Sequence, residues 1–310
     1  MNHLPVFPLF KPFNTDDINW YNKFYLESKL NPYADVHYAN LLTWLNINGD
    51  LSISKIDDNT VIFRYKNPLN SNETNFLPVS KELTDDTLTK VFQYISNSKI
   101  NASIQEVPSI ICKRLDKKKW GINDYRDGFE YIYNVDEQLE LQGSNFSNQR
   151  RVISHFERVH ENNKIDISLN KCTEKNANKT IQDFIANNRP NHNTFAAEDN
   201  VYEPIVIKKS LDIAEFLQKE VLTVAIDNEI VSIVIISPLD NETISLSHIK
   251  VNYSIRDIFN YTFYQLAKLL HNIKVKEINL EQDLGIEGMR LHKEKLRPSR
   301  MLKKVTISKL

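Results

Sequence analysis

The chain has 310 residues, with 39 Lys and Arg against 40 Asp and Glu and a formal charge of −1. That length supports one large domain or two ordinary ones with a substantial hydrophobic core. The balance of charge excludes a global attraction to nucleic acid or membrane, so any site for a polyanion must be local. Two cysteines, Cys112 and Cys172, match no metal or redox spacing. They fit a reduced, cytoplasmic interior as small buried hydrophobes, and no metal site is expected. The Asn-x-Ser/Thr triplets at Asn72 and Asn241 are read as chance in an Asn-rich chain, and Met1 to Phe13 lacks the layout of an export signal. The longest apolar stretch, Val221 to Pro238, is broken by Asp227, Asn228 and Glu229, and reads as a hairpin and not a membrane span.

In chain order, Asp16 to Ser28 has helical aromatic spacing, with Trp20, Phe24 and Tyr25 directed inward. Leu51 to Ile56 and Val61 to Tyr65 alternate around Asp57-Asp58-Asn59, as a hairpin does. Lys81 to Ser96 returns to helical spacing, and Ser103 to Val107 reads as a strand. Tyr125, Phe129, Tyr131 and Tyr133 alternate as one strand; Asp136 to Leu141 reads as a short helix and Ser147 to His160 as a longer one. The plan then repeats. Val221 to Ile226 and Ile230 to Ile236 form a hairpin, and Thr243 to Val251 a third strand. Ile255 to His271 is a helix with a capping-box-like start at Ser254 and Asp257. Val275 to Leu280 is a strand, Ile286 to Leu296 a helix, and Val305 to Ser308 a last strand. Two hairpin, helix and strand units predict a pair of α/β (α+β) lobes with mixed sheets and flanking helices. The boundary is expected near residues 140 to 165, taken as 1–145 and 146–310.

Glycine-rich phosphate loops, dinucleotide fingerprints, nucleophile elbows and His-Glu-x-x-His are all missing. The densest chemistry lies in Asn279-Leu280-Glu281-Gln282-Asp283-Leu284-Gly285-Ile286-Glu287-Gly288-Met289-Arg290, which holds two of only six glycines. Scarce glycines mark backbone positions that need them. At strand period Glu277, Asn279 and Glu281 share one face, with Ile278 and Leu280 turned to the core. Arg290, Lys293, Glu294 and Arg297 fall on one face of the next helix, and from Arg290 to Lys304 there are seven Lys/Arg and one acid. Such a cluster suits a phosphate-rich carrier. The structural alternative is that Asp283 caps the helix, Glu287 favours its dipole and Arg290 pairs with Glu294 on the surface.

Two other segments carry candidates. Arg150 and Arg151 sit in the first turns of a helix, where the macrodipole disfavours cations; an anion there is one reason, ordinary solvation the other. His248 lies near the end of a strand that leads into a helix start able to accept a pyrophosphate, although no glycine allows close approach. It reads either as a satisfied, partly buried histidine or as a pocket residue beside Asn279.

These segments, in this order, resemble the C-terminal catalytic domain of phosphatidylglycerol lysyltransferases and the soluble bacterial proteins that share it. The ending Asn-Arg-Glu-Gln-Asp-Leu-Gly-Ile-x-Gly-Leu-Arg of that family is matched at Asn279, Glu281, Gln282, Asp283, Leu284, Gly285, Ile286, Gly288 and Arg290, with Lys293 and Pro298 beyond. Arg150, Glu130-Tyr131-Ile132-Tyr133 and His248-Ile249-Lys250-Val251 resemble its other motifs, and the likeness runs loosely from Phe7 to Val305. The resemblance implies two tandem lobes similar to GNAT-type acyltransferases, with the active site in the second. In the relatives, membrane enzymes move lysine from charged tRNA to a lipid hydroxyl. This chain departs at Leu280, Lys295-Leu296, Lys250 and Arg151 and lacks the loop glycine, departures that bear on donor, acceptor and retention of catalysis.

The expectation is therefore an acyl- or aminoacyltransferase without a tightly bound cofactor, taking acyl-CoA or aminoacyl-tRNA as donor and an amine, hydroxyl or lipid headgroup as acceptor. Lys293 would meet the donor's developing charge. Glu281 or Asp283 would orient the nucleophile or take its proton. Arg290, Arg297, Arg150 and Arg151 would hold phosphates. The competing expectation is a non-catalytic binding or regulatory protein on a degenerate form of the same fold.

Overall fold

The periodicities resolve, in a computed structural model, into two units, each built on a seven-stranded mixed sheet. The structure describes residues 4–67, 70–188 and 199–310. Among these, no helix is long and apolar enough to cross a membrane. The first unit comprises Met1–Glu130, Gln282–Gly285 and Leu302–Leu310; the second comprises Tyr131–Glu281 and Ile286–Met301. The boundary thus falls before the expected residue 145, and the chain returns to the first unit twice.

In the first unit, β1 (Lys11–Pro12), β2 (Ser52–Asp57), β3 (Thr60–Asn67) and β4 (Asn70–Ser80) run antiparallel in that order. β5 (Ala102–Pro108) joins β4 in parallel, and the C-terminal strand Lys304–Lys309 pairs antiparallel with both β5 and β6 (Trp120–Asp124). The first helix, α1 (Ile18–Glu27), follows a 3-10 turn at Thr15–Asp17, and buries Ile18, Tyr21, Phe24 and Tyr25. Trp20 instead lies half-buried and donates to Asp17. Phe13, Tyr21 and Phe63 meet edge to face at 5.1–5.3 Å, which favours ring quadrupoles as well as burial. After the one-turn α2 (Tyr38–Asn40), α3 (Asp85–Ser98) crosses from β4 to β5, capped by Thr84, whose Oγ1 accepts from the Thr87 amide at 3.2 Å.

The second unit orders its strands β13-β7-β12-β11-β10-β9-β8: β7 (Glu130–Asn134), β8 (Ile165–Lys171), β9 (Glu220–Ile226), β10 (Glu229–Pro238), β11 (Thr243–Val251), β12 (Glu277–Gln282) and β13 (Arg300–Leu302). The strand expected over Tyr125 to Tyr133 is broken by a 3-10 turn at Arg126–Gly128, so the strand begins at Glu130 and runs to Asn134. One face of the sheet packs on α4 (Val135–Glu140), α5 (Ser147–Val159) and α9 (Ile258–Asn272) through Leu222, Val234, Leu246, Ile278 and Leu280. The other packs on α6 (Lys175–Asn187) and α7 (Asp199–Asp212) through Val221, Ile233 and Ile235. The short α8 (Ala214–Leu217) and α10 (Glu287–Lys295) complete it.

The expected capping box at α9 does not form. Asp257 is the N-cap residue, but it is left-handed (φ +67) and makes no side-chain cap bond. Its carboxylate instead lies 2.8 Å from His155 Nδ1, while Ser254 bonds Asn252.

Candidate active site

Strand β11 carries a bulge. Ser245 pairs with Ser237 and Leu246 with Ile236, but the next partner of Ile235 is His248, leaving Ser247 as an extra residue. Because side chains alternate, that insertion moves His248 and Lys250 to the face already occupied by Ser245. Parallel pairing with β12 covers only Thr243↔Glu277, Ile244↔Ile278 and Ser245↔Asn279. Beyond it β11 and β12 are no longer paired with each other, and at this point Ser245, Asn279, Glu281, His248 and Lys250 share a face.

The polar groups there are bonded to one another. Ser245 donates to the Glu281 carboxylate, and the Glu281 amide donates to Asn279 Oδ1 at 2.7 Å. Glu281 is left-handed (φ +57), a conformation that costs a non-glycine about 1–2 kcal/mol and concentrates at functional sites. Lys219, just before β9, donates from Nζ to Ser247 Oγ at 3.2 Å. From α7, Glu203 lies 3.3 Å from His248 Nδ1 and 2.5 Å from Lys250 Nζ.

Burial and charge set the protonation states. Burial lowers the His248 pKa most; the hydrogen bond and charge of Glu203 act against it, and Lys219 adds to it. Burial would push the Glu203 carboxyl up, but His248 and Lys250 together outweigh it and hold it at about 2. Burial also lowers the Lys219 pKa, against the opposing pull of Glu281. At neutral pH the arrangement is a neutral imidazole oriented by a carboxylate, which is the geometry of a general base held by a third group.

The sequence-derived candidates divide. Glu281, Asn279 and His248 come together on this face. Lys293 is buried, and its ammonium donates to the main-chain carbonyls of Leu280 at 2.6 Å and Glu281 at 3.2 Å. Asp283 belongs to the first unit, fully buried, 2.9 Å from Arg126 and accepting from the Gly285 amide. It does not cap α10, whose N-cap residue is Ile286. Arg150 donates to the carbonyls of Leu141, the C-cap of α4, and Gly143 just beyond it, and these account for a cation at that helix start. Arg151 bonds Asn148 on the surface. Arg290 is half-buried, and Arg297 donates to the Asn145 carbonyl at the rim of a cavity of about 600 Å³ lined by Glu137, Glu140, Phe146 and Glu294. Of the basic run, Arg300 pairs with Glu277, Lys303 with Asp124, and Lys304 with Glu130 and Asp35.

Lys219, Glu203 and Ser245 went unread in the sequence. Ser245-Leu246-Ser247-His248 was the available signal, a polar rhythm inside an otherwise apolar strand. Glu203 gives none, because its helix contains Pro204.

Comparison with solved structures shows the same fold over nearly the whole chain. A conserved protein of unknown function from Bacteroides thetaiotaomicron is similar at a TM-score of 0.77 and 20% identity, covering 96% of this chain and 98% of that one. The C-terminal domain of a putative lysylphosphatidylglycerol synthetase from Agrobacterium fabrum matches at TM-score 0.59 and 12% identity, over 93% and 91%. L-PGS from Bacillus licheniformis matches at 0.57 and 14%, over 93% and 90%. None of the curated proteins matches the sequence. The family described as phosphatidylglycerol lysyltransferase, C-terminal, matches residues 30–307, and the chain belongs to it.

Proposed function

We propose that the chain is an acyl- or aminoacyltransferase whose reaction takes place where β11 and β12 part. The observation that carries this reading is the bulge at Ser247, which brings His248 and its carboxylate partner Glu203 onto the face of Ser245, Asn279 and Glu281. The acceptor amine or hydroxyl attacks the carbonyl of the carried acyl group while His248 takes its proton. The new N–C or O–C bond forms, the bond to the carrier breaks, and the proton passes from the imidazolium to the departing oxygen or sulfur. Glu281 orients the acceptor, and Lys219 faces the oxygen that gains charge. Arg290 of α10 is the cation assigned to carrier phosphates; Arg297 is held at the Asn145 carbonyl beside three carboxylates on the α4 side.

One feature favours aminoacyl-tRNA over a coenzyme A thioester. Residues 252–257 contain no glycine to let a pyrophosphate approach the amides at the start of α9, and the Asp257 carboxylate there is taken up by His155 and Arg256.

A second reading, a binding protein without catalysis, is favoured by the burial of the same groups: His248 is 4% exposed and Lys219 2%. The test incubates the purified protein with labelled aminoacyl-tRNA, and separately with acetyl-coenzyme A, in the presence of a fractionated extract of acceptors. Transfer that falls about 10²-fold or more in His248→Asn supports the general-base assignment. Equal transfer by wild type and His248→Asn removes it, and absence of transfer from both donors leaves the binding reading.

A further inference from the structure

Helix α10 returns one cation to the strand that precedes it. Lys293 is 8% exposed; its ammonium reaches the carbonyls of Leu280 and Glu281 and lies 5.6 Å from the centre of the Tyr131 ring. The helix is tied at this end by three side chains: Tyr133 donates to the Lys293 carbonyl at 2.7 Å, Gln149 to that of Lys295 and Gln138 to that of Leu296. Lys293 is therefore delivered to a fixed place.

That place is the point of strain. β12 turns at its penultimate residue, the left-handed Glu281, and the two carbonyls gathered by Lys293 are those of this residue and its predecessor. A cation that draws both carbonyls to one side holds the peptide planes in the orientation the left-handed turn requires. The turn in turn points the Glu281 carboxylate at Ser245, on the face of His248.

We propose that Lys293 is a positioning residue: its ammonium pins the carbonyls of Leu280 and Glu281 and so aims the Glu281 carboxylate at the face where β11 and β12 part. Its use in catalysis rests on the transferase reading, but the positioning itself does not.

The test reads His248 by NMR in the full-length protein labelled at histidine. His248 is faced by Glu203 from α7, by Lys219 ahead of β9 and by Glu281 from β12, with Lys250 of its own strand sharing Glu203. Glu281→Gln removes a charge that favours the imidazolium, so the titration midpoint of His248 moves to lower pH. Lys293→Met moves it in the same direction, and K293M with E281Q moves it no further than E281Q alone. Loss of packing by itself does not produce that non-additivity. Should K293M fail to fold, Lys293→Gln keeps a neutral donor for one carbonyl and gives a smaller shift in the same direction. A His248 midpoint unmoved by K293M and K293Q, or a double variant equal to the sum of its parts, overturns the proposal. The transfer assay separates the two readings: the non-additive pattern without transfer in wild type leaves the positioning standing and removes the transferase. Transfer lost in K293M with His248 unmoved shows instead that Lys293 meets the donor directly.

Discussion

The carboxylate of Glu203 lies 3.3 Å from Nδ1 of His248, joining a helix to the bulged strand β11 within the second unit. Their pKa shifts contribute to the acid stability of this unit. Imidazole in the unfolded chain titrates at about 6.5 and folded His248 below it, so stability falls as pH drops through the ordinary histidine range. Glu203 is held at about 2 against its ordinary 4.5, so its contribution is present above 4.5 and is lost between there and about 2. The melting temperature measured from pH 8 to pH 2 should fall in both windows, and in Glu203→Gln the lower one should flatten.

In the first unit Lys304 is fully buried, 2.7 Å from the fully buried Glu130 carboxylate and in contact with Asp35. Glu130 also accepts from the amides of Ala34 and Asp35. Lys304→Met strands two carboxylates and should cost about 3–5 kcal/mol in denaturant unfolding. A cost under 1 kcal/mol would mean that this buried site does not hold a charged Lys304–Glu130 pair.

The two glycines of the 279–290 run should behave oppositely. Gly285 has φ +76, and an added Cβ would sit 2.9 Å from the Asp127 carboxylate, so Gly285→Ala should lose at least the 1–2 kcal/mol of the left-handed backbone, about 2 kcal/mol or more in all. Around Gly288, in the first turn of α10, nothing lies within 4 Å, and Gly288→Ala should gain up to about 1 kcal/mol. Thermal denaturation of the two variants checks both signs.

Arg150 is bound to carbonyls at the end of α4. Arg150→Met should therefore cost about 1–3 kcal/mol of stability while leaving the salt dependence of carrier binding unchanged. A shallower salt slope would return Arg150 to the phosphate-binding set.

Where one physical pattern decides the outcome, the structure could be read from the residues. Thr243–Val251 is a strand and Ile278 and Leu280 face the core because alternation against an apolar face allows little else. The site face was harder. Strict alternation puts His248 opposite Ser245, and only the extra Ser247, a matter of pairing with β10, reverses it. Asp257 illustrates tertiary override: its spacing from Ser254 suits a cap, but His155 on α5 takes the carboxylate. Helix α6 was legible and missed, since Ala177, Ile181 and Phe184 keep helical spacing. The long β4 begins in an Asn-rich stretch with low strand preference and is fixed by pairing with β3.

The C-terminal strand Lys304–Lys309 lies between β5 and the edge strand β6 of the first sheet. A ribosome that has made the first 130 residues has not yet made the piece that joins those two strands. Until it emerges, β5 and β6 present open hydrogen-bonding edges, and the nascent first unit offers a template for other chains. Release from that hazard comes only after the second unit has been synthesised, so the order of translation, and not the order of the folded strands, dictates which half is finished first.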